Sequence, residues 1–233
     1  MFFFDPRYML FMAPAFLVMM LTQWYVSSAY SRWSRVPARS RLSGAQAAQR
    51  LISIGGLYDV RVEGVPGRMT DHYDPRSKTL RLSAGVYQSA SIAALAIAAH
   101  ELGHAMQDEE GYAPLRLRSA LVPAVNIGSY LGWILILLGI FLGFTNLAWL
   151  GVAVFAGGAL FALATLPVEL NASARAKRLL VESGLIVDED EARGVNQVLN
   201  AAALTYVAAL FTAVMQLLYY ATLVLGTGGR RRD

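Results

Sequence analysis

Residues 91–107 read S-I-A-A-L-A-I-A-A-H-E-L-G-H-A-M-Q, and the rest of the chain is organised around them. His100 and His104 stand four residues apart, so on an α-helix one imidazole lies a turn above the other on the same face. Two imidazoles so placed can hold one Zn²⁺, and Glu101, next to the first, can polarise a water bound to that metal. A third ligand must come from elsewhere in the chain, which leaves the last position open for water and substrate. The plainer alternative is a helix that happens to carry two histidines. Against it, residues 93–99 are all Ala, Leu or Ile, the composition of a buried helix. Buried polar groups need partners, so three ionisable residues closing such a helix ask for a metal. The pattern is that of a zinc-peptidase helix.

The composition says where such a helix lives. Hydrophobic residues make up 56% of the chain and charged ones 15%. The apolar residues come in blocks, unlike those of an ordinary soluble domain. There is no cysteine. That excludes disulfides and thiolate zinc sites, leaves His and carboxylate as the available ligands, and fits a reducing compartment. The formal charge of +4 comes from arginines beside the apolar blocks. No basic stripe is interleaved with aromatics, so nucleic acid is excluded as a partner.

The blocks predict about four membrane spans. No charge falls between Arg7 and Arg32, and residues 8–30 are long enough to cross a hydrocarbon core of about 30 Å. Trp24, Tyr25 and Tyr30 sit near the far end, where interfacial aromatics belong. Arg32, Arg35, Arg39 and Arg41 follow, which reads as a retained anchor rather than a cleaved signal peptide and puts the next segment in the cytoplasm. Residues 119–168 form an uncharged block more than twice the length of one span. G-F-T-N at residues 143–146 marks the turn of a helical hairpin, with spans at 121–142 and 147–166. A last uncharged block covers residues 194–229, with a fourth span at 206–225 and residues 196–203 as its apolar approach. The basic tail, residues 230–232, then falls on the outer side with Arg7. Arg32, Arg35, Arg39, Arg41, Arg116, Arg118, Arg175, Lys177, Arg178 and Arg193 lie on the other, so the positive-inside majority keeps the cytoplasmic assignment.

Between the first two spans, residues 32–118 predict an extramembrane domain. Ser43 suits a helix N-cap and Gly55-Gly56 a helix stop. D-V-R-V-E at residues 59–63 alternates like a strand, followed by a turn at 64–67 that contains Pro66. Residues 69–73 and 79–83 predict two more strands around a D-P-R-S turn at 74–77, giving a small antiparallel sheet. His72 falls on the strand at 69–73. In zinc peptidases an edge strand beside the metal pairs with the extended substrate. A His72 facing that cleft could bond a tetrahedral oxyanion or serve as an alternative metal ligand; otherwise it is a surface turn histidine near Asp71 and Asp74. The acidic run at residues 108–110 reads as a solvated helix end.

The first charge after the long block is Glu169, in L-P-V-E-L-N-A-S-A-R-A-K-R. Pro167 fits a helix junction or first turn, and the hairpin returns the chain to the histidine side. Glu169 is therefore the best-placed third ligand, and an ion pair with Arg175 or Arg178 is its ordinary alternative. Asn171 and Ser173 are candidates for hydrogen bonds behind the ligands. D-E-D-E at residues 188–191 reads as a solvated loop or helix start.

H-E-L-G-H on an apolar helix, with D-H-Y-D-P-R-S-K-T-L-R-L-S upstream and V-E-L-N-A-S-A-R-A downstream, resembles the small bacterial membrane proteins called neutral zinc metallopeptidases. The resemblance covers nearly the whole chain. It implies a gluzincin-like peptidase with one zinc per chain, His100, His104 and Glu169 as ligands and Glu101 as catalytic base. More distantly the layout is similar to membrane peptidases related to the heat-shock and prenyl-protein endopeptidases, whose catalytic face is cytosolic. Those carry an aspartate four residues after the ligand glutamate, where this chain has Ser173.

The expected fold is a mainly α membrane protein with about four transmembrane helices and a small α+β zincin-like domain carrying the HExxH helix. In chain order this gives an anchor (1–31), the zincin-like domain (32–118), a transmembrane hairpin (119–168), a cytoplasmic helix or loop with the third ligand (169–195), and the fourth span with its tail (196–233). The expected function is a multi-pass zinc metalloendopeptidase of the inner cell membrane. It acts through zinc-activated water on membrane-associated or misfolded polypeptides at the cytoplasmic face. The alternative is a non-catalytic scaffold or adaptor with a structural zinc, in which His72 would close a fourth position. An intramembrane protease would want an Asp-Gly ligand motif that is not found, and a metal transporter would want polar ligands inside the spans.

Overall fold

The computed structural model describes residues 5–228. In chain order it comprises α1 (Pro6–Trp33), α2 (Gly44–Gly55), β1 (Arg61–Val65), β2 (His72–Asp74), β3 (Thr79–Ser83), α3 (Ala84–Tyr87), α4 (Ile92–Glu109), α5 (Ala113–Leu142), α6 (Thr145–Glu182) and α7 (Glu189–Gly228). As expected, helix dominates and the sheet is small. Helices α1, α5, α6 and α7 are long and apolar enough to cross a membrane. The basic tail at residues 230–232 lies outside the described residues.

Contacts divide the chain into two compact units. Among the described residues, the first comprises 5–22, 116–166 and 205–228. Its buried centre is Ile136, Ala148, Val152, Tyr219, Tyr220 and Val224. Helices α5 and α6 lie so close here that a side chain on Gly139 would run into the Ala148 backbone. Small residues at a helix crossing allow this approach in apolar surroundings. The turn between the two helices passes through Gly143 at φ 74°, a conformation glycine adopts without steric cost. The hairpin turn read from G-F-T-N is where the chain reverses.

The second unit comprises Gln23–Leu115 and Pro167–Leu204. Its core gathers Leu51, Leu80, Leu82, Leu95, Leu102 and Leu180 around the alanine-rich half of α4. Helix α2 opens on a capping box, in which the Ser43 hydroxyl accepts the Gln46 N–H and the Gln46 side chain accepts the Ser43 N–H. It closes on Gly56 in the left-handed region, as the paired glycines predict. Helix α4 starts from Ser91, whose hydroxyl accepts the Ala94 N–H at 3.2 Å.

The sheet departs from the expected antiparallel arrangement. Its order is β1-β3-β2, with β1 parallel to β3 and only β2 antiparallel to it. Alternation in sequence fixes which face a residue takes, not which strand lies beside it. β3 is central and buries Thr79, Leu80, Leu82 and Ser83. β1 also runs on through Gly64 and Val65, where a turn was expected. Gly64 packs against the Tyr87 ring, from which a Cβ would stand 3.4 Å, an ordinary van der Waals distance. β2 is shorter than the expected 69–73 because Met69 sits at φ 58°, outside any strand conformation.

Two further expectations need correcting. Pro167 is no junction, because α6 runs through it without interruption, although the two units divide at that proline. The acidic run at 188–191 does start a helix, with the Asp188 carboxylate accepting the Glu191 N–H at 2.7 Å. It is not all solvated. Glu191 is buried and accepts the Arg39 N–H at 2.8 Å, and Arg39 also pairs with Asp188 at 2.6 Å.

Candidate metal centre

All the residues of this centre lie in the second unit. α4 presents the histidines because its apolar half is anchored in the core while its polar residues recur toward the C-terminal end. Gly103, inside H-E-L-G-H, has a role the spacing alone does not reveal. A Cβ there would lie 3.1 Å from Ala172 Cα and closer still to its carbonyl. With only hydrogen at that position, α6 presses against α4. Glu169, one turn before Ala172 and Ser173, comes level with the imidazoles.

The result is a tight convergence. His100 Nε2 lies 3.2 Å from Glu169 Oε2, and His104 Nε2 lies 3.5 Å from the same oxygen. The imidazole rings stand edge to face, centroids 4.9 Å apart at 85°. One donor atom from each residue falls within 4.8 Å of the others, and among the described residues this is the His/Asp/Glu group with metal-binding spacing. Glu169 is only 2% exposed, so its carboxylate depends on this company. The donor set fits zinc. Two imidazole nitrogens and a carboxylate oxygen are its usual ligands, and bonds of about 2.0–2.1 Å to a tetrahedral ion put neighbouring ligands about 3.3 Å apart.

Each imidazole is also held from behind. Ser173 Oγ lies 3.2 Å from His100 Nδ1, and Gln107 Oε1 lies 3.0 Å from His104 Nδ1. Hydrogen bonds at Nδ1 leave Nε2 free to ligate. In the metal-free protein, burial draws the His104 pKa down, but hydrogen bonding to Glu169 and the charges of Glu101 and Glu169 outweigh it and raise it.

Glu101 is tied to the sheet. Its Oε2 accepts the Tyr73 N–H at 3.0 Å, and two turns along α4 Asp108 accepts the Tyr73 hydroxyl at 3.0 Å. Burial, then the bond to Asp108, pushes the Tyr73 phenol up. β2 is an edge strand, and that edge meets α4 through these two contacts. His72 stands apart from the cluster. It is exposed, its Nδ1–H donates to the Thr70 carbonyl at 2.8 Å, and strand alternation turns it away from the face of Tyr73. Of the two arginines weighed as ion-pair partners for Glu169, Arg175 forks instead onto Glu110 at 2.6 and 2.7 Å.

Sequence reading missed Gln107, Gly103 and the Tyr73 amide. Gln107 does carry a signal, since it is polar, three residues after His104 and on the same face of an otherwise apolar helix. The Tyr73 contact comes from the main chain, which no residue type announces.

A family model described as "Putative neutral zinc metallopeptidase" matches residues 8–225. The chain is 47% identical over 203 residues to the "Putative membrane protease YugP" of Bacillus subtilis (strain 168), covering 87% of this chain and 90% of that one. No solved structure matches the chain. A match of this extent, on a chain with four helices fit to cross a membrane and a His/His/Glu cluster, decides its kinship. The chain is a membrane protein that belongs to the neutral zinc metallopeptidase family.

Proposed function

We propose that this protein is a multi-pass membrane zinc metalloendopeptidase that hydrolyses peptide bonds in membrane-associated or misfolded polypeptides at the cytoplasmic face. The observation that carries the reading is the convergence of His100 Nε2 and His104 Nε2 on one oxygen of buried Glu169. One zinc held by these three residues would polarise the scissile carbonyl and acidify a water. Glu101 then takes the water's proton and passes it to the leaving nitrogen. The Tyr73 N–H orients the carboxylate for that task from the sheet side.

The sheet edge supports a polypeptide substrate. The Tyr73 amide is directed to Glu101 and away from β3, so the side of β2 that β3 leaves unpaired is the side that faces the site, where an extended substrate would be laid. Three protein donors leave a coordination position open, which favours catalysis over a structural zinc. Cytoplasmic orientation is supported by the arginines after the first span and by those around Arg175.

The test is zinc content and cleavage of casein or a membrane peptide by detergent-purified protein, wild type beside Glu101→Gln and Glu169→Ala. The reading requires about one zinc per wild-type chain, retained without cleavage by Glu101→Gln and lost by Glu169→Ala. Full activity in purified Glu101→Gln would sink the mechanism. Zinc in all three with cleavage in none would bring the scaffold reading forward.

A further inference from the structure

Gln107 is 0% exposed, and no step above uses it. Its amide has one possible orientation. Nε2 donates to the Val168 carbonyl at 2.8 Å and to Asn171 Oδ1 at 2.9 Å, so the oxygen is the atom that faces His104 Nδ1, 3.0 Å away. Asn171 is fixed in turn, because the same Oδ1 accepts from Arg175 Nε at 2.7 Å. A reversed Asn171 amide would set donor against donor at two places. Arg175 is anchored by its fork onto Glu110. A directed chain of hydrogen bonds thus runs from the protein surface to the back of one imidazole.

We propose that Gln107 is the positioning residue of this centre: it fixes the tautomer and ring plane of His104, and Asn171 and Arg175 hold Gln107 in the orientation that does so. The inference rests on the metal reading above and deepens it. An oxygen facing Nδ1 keeps the ring proton there and the Nε2 lone pair directed at the metal. Glutamine suits the place better than its neighbours in size. Methionine would offer Nδ1–H no acceptor in a buried site, and glutamate would face the Val168 carbonyl and Asn171 Oδ1 with no donor.

The experiment is a metal-buffered zinc titration of chelator-stripped full-length protein in detergent, with cobalt absorption spectra and thermal melts with and without zinc. Gln107→Met should bind zinc about 10- to 100-fold more weakly than wild type, with an altered cobalt spectrum and a smaller zinc-induced rise in melting temperature. Gln197→Met is the control, since Gln197 accepts from Trp33 Nε1 at 2.8 Å elsewhere in the unit. It should keep wild-type zinc affinity whatever it does to metal-free stability. Wild-type affinity in Gln107→Met, or an equal loss in Gln197→Met, overturns the assignment. If Gln107→Met does not fold, Asn171→Leu decides, with several-fold weaker binding expected and unchanged binding overturning it. Wild-type protein that takes up no zinc removes the peptidase reading and this one with it, an outcome distinct from the others.

Discussion

At the residue scale, geometry that depends on spacing along one helix was legible. His100 and His104 share a face because they are four apart, and Glu101 is positioned by the same geometry. Glu169 could be singled out as the first charge after a long uncharged block, although nothing local says that α6 packs on α4. That depends on Gly103 meeting Ala172, a contact between segments far apart in the chain. Gly103→Val should therefore push α6 away, costing about 1–3 kcal/mol, and weaken zinc binding alongside. A melt and a zinc titration on the same sample check both effects. Glu101→Gln should lower cleavage by a factor on the order of 10²–10⁴ at unchanged zinc content. His72→Ala should also leave zinc content unchanged, because its imidazole is engaged with Thr70 and lies outside the cluster; atomic absorption on the purified variant decides.

At the element scale, helix ends were easier to read than strand partners. Ser43 and Gly56 act as caps through contacts with near neighbours in sequence. The parallel pairing of β1 with β3 instead depends on which edge of a buried strand is free, and periodicity is silent on that. The hairpin joining β2 to β3 is secured by Asp74, which takes hydrogen bonds from Arg81, the Ser77 hydroxyl and the Arg76 N–H and is held well below the usual carboxylate range by them, Arg81 first. A carboxyl depressed in the folded state adds stability above its unfolded pKa and loses it as the pH falls through that value toward the folded one. The melting temperature of metal-free protein should drop between about pH 5 and pH 3. Asp74→Asn should show a smaller drop over the same interval, and equal slopes would remove this role from Asp74.

At the scale of the whole molecule, the charge gaps made the spanning helices legible, because a bilayer core imposes length and apolarity together. What the sequence did not disclose is that the unit holding the metal centre is discontinuous, built from Gln23–Leu115 and Pro167–Leu204. Zinc that binds ligands from both segments should cross-brace them. Saturating zinc at about 100 times its dissociation constant should add about 2.7 kcal/mol to stability, and chelation should remove it, as thermal melts in zinc and in chelator would show. The same discontinuity has a consequence for the time at which the protein is made. Glu169 emerges from the ribosome 69 residues after His100, with the whole of α5 in between. On the proposed reading, a nascent chain carries its base and two ligands but cannot cut anything, its neighbours or itself, until the hairpin has been synthesised.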